Sequence, residues 1–103
     1  MPRIIHKYPL DNRKLDQKEP LVITTGRDPV VIHVGARPSR AGIPDPWVWI
    51  GVEEGTEGQG SVTLHCLATG DLLPSNTVQH VGTIVDGFNR LAYHWYQELH
   101  HVD

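Results

Sequence analysis

Apolar residues along the chain either alternate with polar ones or cluster in short runs, and each run ends near Gly, Pro, Asn or Asp. This pattern is typical of β-strands joined by turns, because the side chains of a strand point alternately to the two faces of a sheet. The predicted strands cover Arg3–Tyr8, Pro20–Thr25, Val30–Arg37, Trp47–Glu53, Ser61–Thr69, Val78–Val85 and Leu91–Glu98. Six to seven short strands with few helical signals predict a mainly β domain, built as a small antiparallel β-sandwich or barrel.

The last two strands carry the clearest signal, since they flank the turn residues Asp86–Asn89 and predict a closing hairpin. Tyr93 and Trp95 fall on one face of its second strand, and such large aromatic rings are predicted to be core residues. His80 and His94 lie on opposite arms of the hairpin. Their register cannot be read from the sequence, because a slip of one residue moves every side chain to the other face.

Three further segments shape the predicted fold. Val30–Arg37 is almost continuously apolar, which predicts a central strand or one that is buried on both faces. Pro38–Pro46 holds three prolines and one glycine, so we expect a stiff loop without regular structure. Glu54–Gly60 is rich in glycine, and we expect it to be the most flexible connection. A short helix at Asp11–Glu19 or Leu72–Asn76 is the alternative that would make the fold α+β.

The length of 103 residues corresponds to one domain. We expect it to span residues 1–103, with flexible segments at 38–46 and 54–60 and a frayed C-terminus at 100–103. The net charge of −3 argues against a nucleic-acid partner. We expect a cytosolic protein without a membrane partner, because no apolar run approaches the roughly 18 residues of a membrane span and no signal peptide is recognisable. The single cysteine, Cys66, is predicted to be a buried strand residue.

The sequence contains none of the common signatures of catalysis or cofactor binding. Its seven histidines show no H-x-H or H-x-x-x-H spacing, which argues against a metal site. His65 and Cys66 are neighbours in a strand and point to opposite faces, so they do not form a nucleophile pair. There is no nucleophile elbow, phosphate-binding loop or dinucleotide fingerprint. We therefore predict a protein that is not an enzyme and has no cofactor, catalytic residue or metal ligand.

The aromatic residues are better candidates for a functional surface. Trp47 and Trp49 fall on one face of their strand, directly after the proline-rich segment, which contains Arg40 and follows Arg37. Such stripes are usually part of the core, but Trp and Arg are also frequent anchors of interfaces. We predict that Arg37, Arg40, Trp47 and Trp49 form a binding surface for a protein, a second copy of the chain or an anionic small molecule.

Four short motifs resemble those of an uncharacterised family of short bacteriophage and prophage proteins. They are Ile5–Leu10 (I-x-K-Y-P-L), the Val30–Val34 strand followed by the Trp47–Ile50 strand, the Ala68–Pro74 turn and the closing His80–Glu98 hairpin. The resemblance extends over almost the whole chain. It implies a phage-encoded accessory protein and supplies no catalytic residue.

The sequence supports three functions. The favoured one is non-catalytic binding of a host protein in the host cytosol, for host modulation or counter-defence, with homo-oligomerisation left open. It rests on the absence of catalytic motifs, the exposed edges of a small sheet and the tryptophans beside arginines. The alternatives are a binder that sequesters an anionic, nucleotide-like small molecule and a minor structural protein of the virion.

Overall fold

The computed structural model of the protein describes residues 2–10, 20–38, 44–73, 78–86 and 91–99. Within these ranges the backbone forms seven strands and no helix. The strands are β1 (Arg3–Pro9), β2 (Leu21–Thr25), β3 (Val30–Pro38), β4 (Pro44–Glu53), β5 (Gly60–Ala68), β6 (Val78–Asp86) and β7 (Leu91–Glu98).

The strands form two antiparallel sheets whose inner faces share one core. The smaller sheet has the order β1-β4-β3 and the larger one the order β2-β5-β7-β6, and over the described residues they do not close into a barrel. The buried apolar side chains of the core are Leu10, Val34, Val48, Ile50, Val52, Val62, Leu64, Cys66, Ile84, Tyr93 and Trp95. The prediction of a mainly β sandwich is confirmed, as are the buried positions of Cys66, Tyr93 and Trp95.

The prediction that Val30–Arg37 is a central or doubly buried strand is wrong. β4 lies between β1 and β3, which leaves β3 at the edge of the smaller sheet. Val30 is 56% exposed and Ile32 is 51% exposed, whereas Val34 is buried. A β-branched residue favours a strand whether or not it is buried, so an apolar run of this kind does not by itself identify a central strand.

The expectation that residues 38–46 lack regular structure is also wrong at both ends of the segment. β3 continues to Pro38 and β4 begins at Pro44, and the register places these two prolines opposite each other. Along β4, the residues that bond to β1 alternate with those that bond to β3. Pro46 is on the β1 side, since its carbonyl oxygen accepts a hydrogen bond from the Leu10 N–H just beyond the end of β1. Pro44 and Pro46 therefore lack an N–H only where β1 has ended. The nitrogen of Pro38 points away from β4, so its missing N–H removes no hydrogen bond between β3 and β4.

Residues 54–59 form a turn that is tied to the end of β2 and to the connection that follows it. Gly55 and Gly58 have positive φ angles of 81° and 83°, a conformation that glycine adopts without steric cost. The Gly58 N–H donates to the Thr25 carbonyl oxygen at 3.1 Å. Thr56, only 6% exposed, accepts a hydrogen bond from the Arg27 N–H at 2.7 Å. The flexibility of this segment stays a prediction.

Several expectations fall on parts of the chain that lie outside the described residues. These are the alternative helix at Asp11–Glu19, the turn after Asp86 and the C-terminal residues 100–103. Leu72 and Leu73 are described and are not helical. In the portion of the chain that the structure describes, no helix is long and apolar enough to cross a membrane.

Candidate functional site

Trp47 and Trp49 lie on the outward face of the smaller sheet, away from the core. Val48 and Ile50, which alternate with them along β4, are fully buried between the sheets, and successive side chains of a strand point to opposite faces. Both indole side chains are half-buried, because side chains of β1 and β3 share their face. The buried indole N–H of Trp47 has no hydrogen-bond partner among the described residues. Packing and the neighbouring cations therefore hold this ring.

Lys7 of β1 bridges the two tryptophans. It is the register partner of Trp49, and its ammonium nitrogen lies 4.1 Å from the centroid of the Trp47 ring and 5.5 Å from that of Trp49. A cation within about 6 Å of an aromatic ring is attracted by the quadrupole of the ring, and such a contact at an exposed site contributes roughly 0.5–1 kcal/mol. The single ammonium group thus contacts both indoles.

β3 supplies the other side of this surface. The guanidinium carbon of Arg37 lies 5.6 Å from the centroid of the Trp47 ring. The ring centroids of His33 and Trp49 are 5.6 Å apart. Gly35 leaves room for this arrangement, since a Cβ atom at this position would lie 3.3 Å from Cζ3 of Trp49. We refer to the surface formed by Lys7, His33, Arg37, Trp47 and Trp49 as the tryptophan face.

Exposed apolar side chains flank the tryptophan face. Ile5 of β1 is 60% exposed and lies opposite Gly51 in the register. Ile32 of β3 lies on the same outward face, because its Cδ1 atom is 3.5 Å from the position that a Cβ atom of Gly51 would take. The surface therefore has a cationic, aromatic centre with apolar margins, a composition typical of interface anchors.

The structure brings together three of the four predicted binding residues: Arg37, Trp47 and Trp49. Arg40 lies outside the described residues. Lys7 and His33 were not indicated by the sequence, because their place beside the tryptophans depends on which strands pair with β4. Lys7 would have been indicated only if the pairing of β1 with β4 had been known.

The sequence profile of DUF7352, described as a domain of unknown function, matches residues 1–102. The chain belongs to this family. No curated protein and no solved structure matches the chain. The expected membership in a family of unknown function is thus confirmed, whereas the phage origin of this DUF7352 chain stays a prediction.

The outward face of the larger sheet of the DUF7352 chain carries a histidine network. The hydroxyl oxygen of Thr83 lies 2.8 Å from Nε2 of His80 and 3.1 Å from Nδ1 of His94. The hydroxyl oxygen of Thr69 lies 2.9 Å from Nε2 of His94. The register places Thr83, and not His80, opposite His94. Threonine hydroxyls therefore satisfy both ring nitrogens of His94, as expected for a histidine that links neighbouring strands.

His65 and Cys66 point to opposite faces of β5 in the DUF7352 chain, as the sequence predicts. Cys66 belongs to the core, whereas Nε2 of His65 lies 3.1 Å from a carboxylate oxygen of Glu98 on the outward face. In the described ranges, no three His, Cys, Asp or Glu side chains form a group that could hold a metal ion.

Tyr8 of the DUF7352 chain is a titratable group whose environment favours one protonation state. Burial raises the pKa of its hydroxyl above the usual value, and the carboxylate of Glu57 raises this pKa further. Both effects disfavour the phenolate. Tyr8 is therefore neutral at physiological pH and does not act as a base there.

Proposed function

We propose that the chain is a small, non-catalytic accessory protein of a phage or prophage that binds a host protein through the tryptophan face. The observation that carries the proposal is the position of Trp47 and Trp49, which lie outside the core and beneath the ammonium group of Lys7. Indole rings contribute most to a fold when they are buried in its core, and tryptophans at a surface are enriched among the residues that dominate binding energy.

The partner surface that fits best has carboxylates around an apolar centre. Lys7 and Arg37 give the tryptophan face two cations, although the chain as a whole has a net charge of −3. Ile5 and Ile32 add exposed apolar surface. Complementary charges speed association and exclude partners of the wrong sign. Face-to-face pairing of two copies would oppose the same cations, so a homo-oligomer, if it forms, is expected to use another surface.

The phage origin and the host partner are supported by the resemblance of the opening and closing motifs, Ile5–Leu10 and His80–Glu98, to phage and prophage proteins. Small proteins of this class act on components of the host cell. The host cytosol is accordingly the compartment in which we expect the partner.

A second candidate function is the binding of an anionic, aromatic small molecule such as a nucleotide. The observation that favours it is the single ammonium group of Lys7 above two indole rings. A base stacked on an indole with its phosphate near Lys7 would use the same surface.

Charge-matched variants test the proposed function. Lys7→Gln removes a cation from the tryptophan face, and Val85→Glu adds a carboxylate at an exposed site on the outward face of the larger sheet. Each changes the net charge by the same single unit, from the −3 of the native chain to −4. A tagged chain is used to recover partners from a lysate of the host, and an identified partner is then purified and titrated by calorimetry.

We expect Lys7→Gln to weaken binding of the purified partner by roughly fivefold to tenfold, as for the loss of about 1 kcal/mol. Val85→Glu should bind as the native chain does. Equal weakening by both variants would assign the effect to net charge and contradict the proposal, as would recovery of chaperones alone. A melting temperature that rises with a nucleotide, and rises less in Lys7→Gln, would favour the small-molecule alternative.

A further inference from the structure

We propose that an extended, acidic segment of the partner protein adds to β1 as a fourth strand of the smaller sheet. This inference rests on the proposed function and describes how the partner is held. In such strand addition, main-chain hydrogen bonds along the sheet edge provide affinity, and alternate side chains provide selectivity.

β1 is the edge strand whose backbone is best suited to pairing. Its own protective features are Pro9, which lacks an N–H at the end of the strand, and the cations Arg3 and Lys7, which oppose a strand of like charge but not an acidic one. β3 carries a bulge between Val31 and His33, and β6 carries one between His80 and Gly82. These two edges also pack against each other, and β2 has only five residues. Bulges and short strands protect edges from unwanted pairing. β1 has seven residues in a regular register with β4, so its edge is suited to receive another strand.

Two hydrogen bonds define which residues of β1 bond to β4. At one end of β1, the Glu54 N–H donates to the Pro2 carbonyl oxygen at 3.1 Å. At the other end, the Leu10 N–H donates to the Pro46 carbonyl oxygen at 3.0 Å. Hydrogen-bonded and non-bonded pairs alternate along an antiparallel ladder. The even-numbered residues of β1 therefore bond to β4.

The odd-numbered residues Arg3, Ile5 and Lys7 consequently direct their N–H and C=O groups away from β4. Among the described residues, β4 is the only strand that pairs with β1. The side chains of these three residues lie on the outward face, since Lys7 is the register partner of Trp49. A strand added at this edge would place every second side chain on the same face, next to Ile5 and Lys7. The open edge and the tryptophan face thus form one continuous surface.

The three side chains predict the sequence of the segment that fits. Lys7 favours a carboxylate opposite it, and the exposed Ile5 favours an apolar residue. Arg3 is a second cation, held by hydrogen bonds from its Nη2 to the carbonyl oxygens of Asp28 and Gly51 at 2.6 and 3.0 Å. The resulting pattern, acid-x-apolar-x-acid, is the same for parallel and antiparallel addition. A second copy of β1 centred on Ile5 would place Arg3 opposite Lys7, and like charges at such positions are destabilising.

A synthetic peptide tests this inference on the complete chain. The probe is acetyl-Thr-Glu-Thr-Val-Thr-Glu-Thr-amide, titrated into the isotope-labelled protein and followed by NMR amide shifts and hydrogen exchange. We expect new protection at the amides of Arg3, Ile5 and Lys7. The amides of Ile4 and His6 serve as internal controls, because they point towards β4. Replacement of both glutamates by lysine should weaken binding about tenfold or more, since the attraction becomes a repulsion.

N-methylated peptides separate strand addition from simple adhesion to the tryptophan face. In antiparallel addition, methyl groups on the nitrogens of peptide residues 2, 4 and 6 remove the donors that face β1 and should abolish binding, whereas methylation of residues 3 and 5 should be tolerated. In parallel addition the odd-numbered peptide residues face β1, so the two outcomes are reversed. Equal binding by both methylated peptides would overturn strand addition but leave the proposed function standing. No binding by the acidic probe, or a dimer of the chain that already protects these amides, would also overturn the inference. The calorimetric comparison of Lys7→Gln with Val85→Glu then tests the proposed function independently.

Discussion

Gly82 of β6 packs directly against the backbone of Val34 in β3. A Cβ atom on Gly82 would lie 2.9 Å from the carbonyl oxygen of Val34 and 3.0 Å from its Cβ atom. Val34 is itself buried, so it has no room to move aside. This close approach joins the edge strands of the two sheets along one side of the sandwich, and a side chain at position 82 would separate them.

Gly82→Ala should therefore destabilise the fold by about 1–3 kcal/mol, the usual cost of overpacking. Gly51→Ala is the matched control. Its Cβ atom would meet Cδ1 of Ile32 at 3.5 Å, an ordinary van der Waals distance, and we expect a change within about 0.5 kcal/mol. Urea unfolding followed by tryptophan fluorescence measures both. Equal stability of the two variants would show that the sheets can separate here without cost.

Thr56→Val should remove the link between the 54–59 turn and the neighbouring connection. The hydroxyl of Thr56 donates to the Glu53 carbonyl oxygen at 2.7 Å and accepts from the Arg27 N–H at 2.7 Å. Valine has nearly the same shape but leaves both backbone groups without this partner, at a cost of about 1–3 kcal/mol in unfolding free energy. Thr24→Val, on an exposed position of β2, is the control and should be nearly neutral. An equally neutral Thr56→Val would contradict the structural role of the hydroxyl.

The raised pKa of Tyr8 predicts a loss of stability in alkali. Burial and Glu57 raise the pKa of the Tyr8 hydroxyl in the folded chain. The stabilisation by the neutral phenol is therefore complete below about pH 10, the pKa of tyrosine in the unfolded chain. It is lost as pH rises from there through the folded pKa, since the unfolded chain then releases its proton first. The free energy of unfolding should fall more steeply above about pH 10 in the native chain than in Tyr8→Phe. Glu57→Gln should show an intermediate slope, and parallel curves for all three would refute the assignment.

Leu64→Ala tests the shared core. Leu64 is fully buried, and its truncation should lower the free energy of unfolding by about 2–5 kcal/mol through lost burial and the cavity left behind. Val22→Ala removes methyl groups from an exposed position on the outward face of the larger sheet. It should change the free energy of unfolding by less than about 0.5 kcal/mol. A comparison of urea midpoints gives both values. Similar losses in the two variants would mean that the sheets do not share a tightly packed core.

The strands and the core were largely predictable from local pattern, whereas their arrangement was not. Alternation along β4 separates Val48 and Ile50 from the tryptophans without any knowledge of neighbouring strands. β3 is an edge strand because β1 pairs with the side of β4 that β3 does not occupy. That pairing joins distant parts of the chain, so local pattern does not predict it. From the sequence, Pro44 and Pro46 appeared to exclude a strand because proline has no N–H. Their missing N–H groups have no consequence, since β1 ends before it reaches them, and the sequence does not show where β1 ends.

The same distinction applies to the candidate site. Trp47, Trp49 and Arg37 were found because they are close in sequence and of a type that anchors interfaces. Lys7 contacts both rings only because the register sets it opposite Trp49, and no local signal shows this. A sequence can indicate which residues are suited to a surface, but strand pairing decides which of them meet.

The pairing of Arg3 with Glu53 has a consequence for the order of folding. The β3–β4 and β6–β7 pairs join consecutive strands, so they close shorter loops and are expected to form early. β1 docks onto β4 across a much longer stretch of chain and is expected to arrive late. During its own folding the protein thus carries out an intramolecular strand addition at the edge of β4. The partner segment would repeat this step one strand further out.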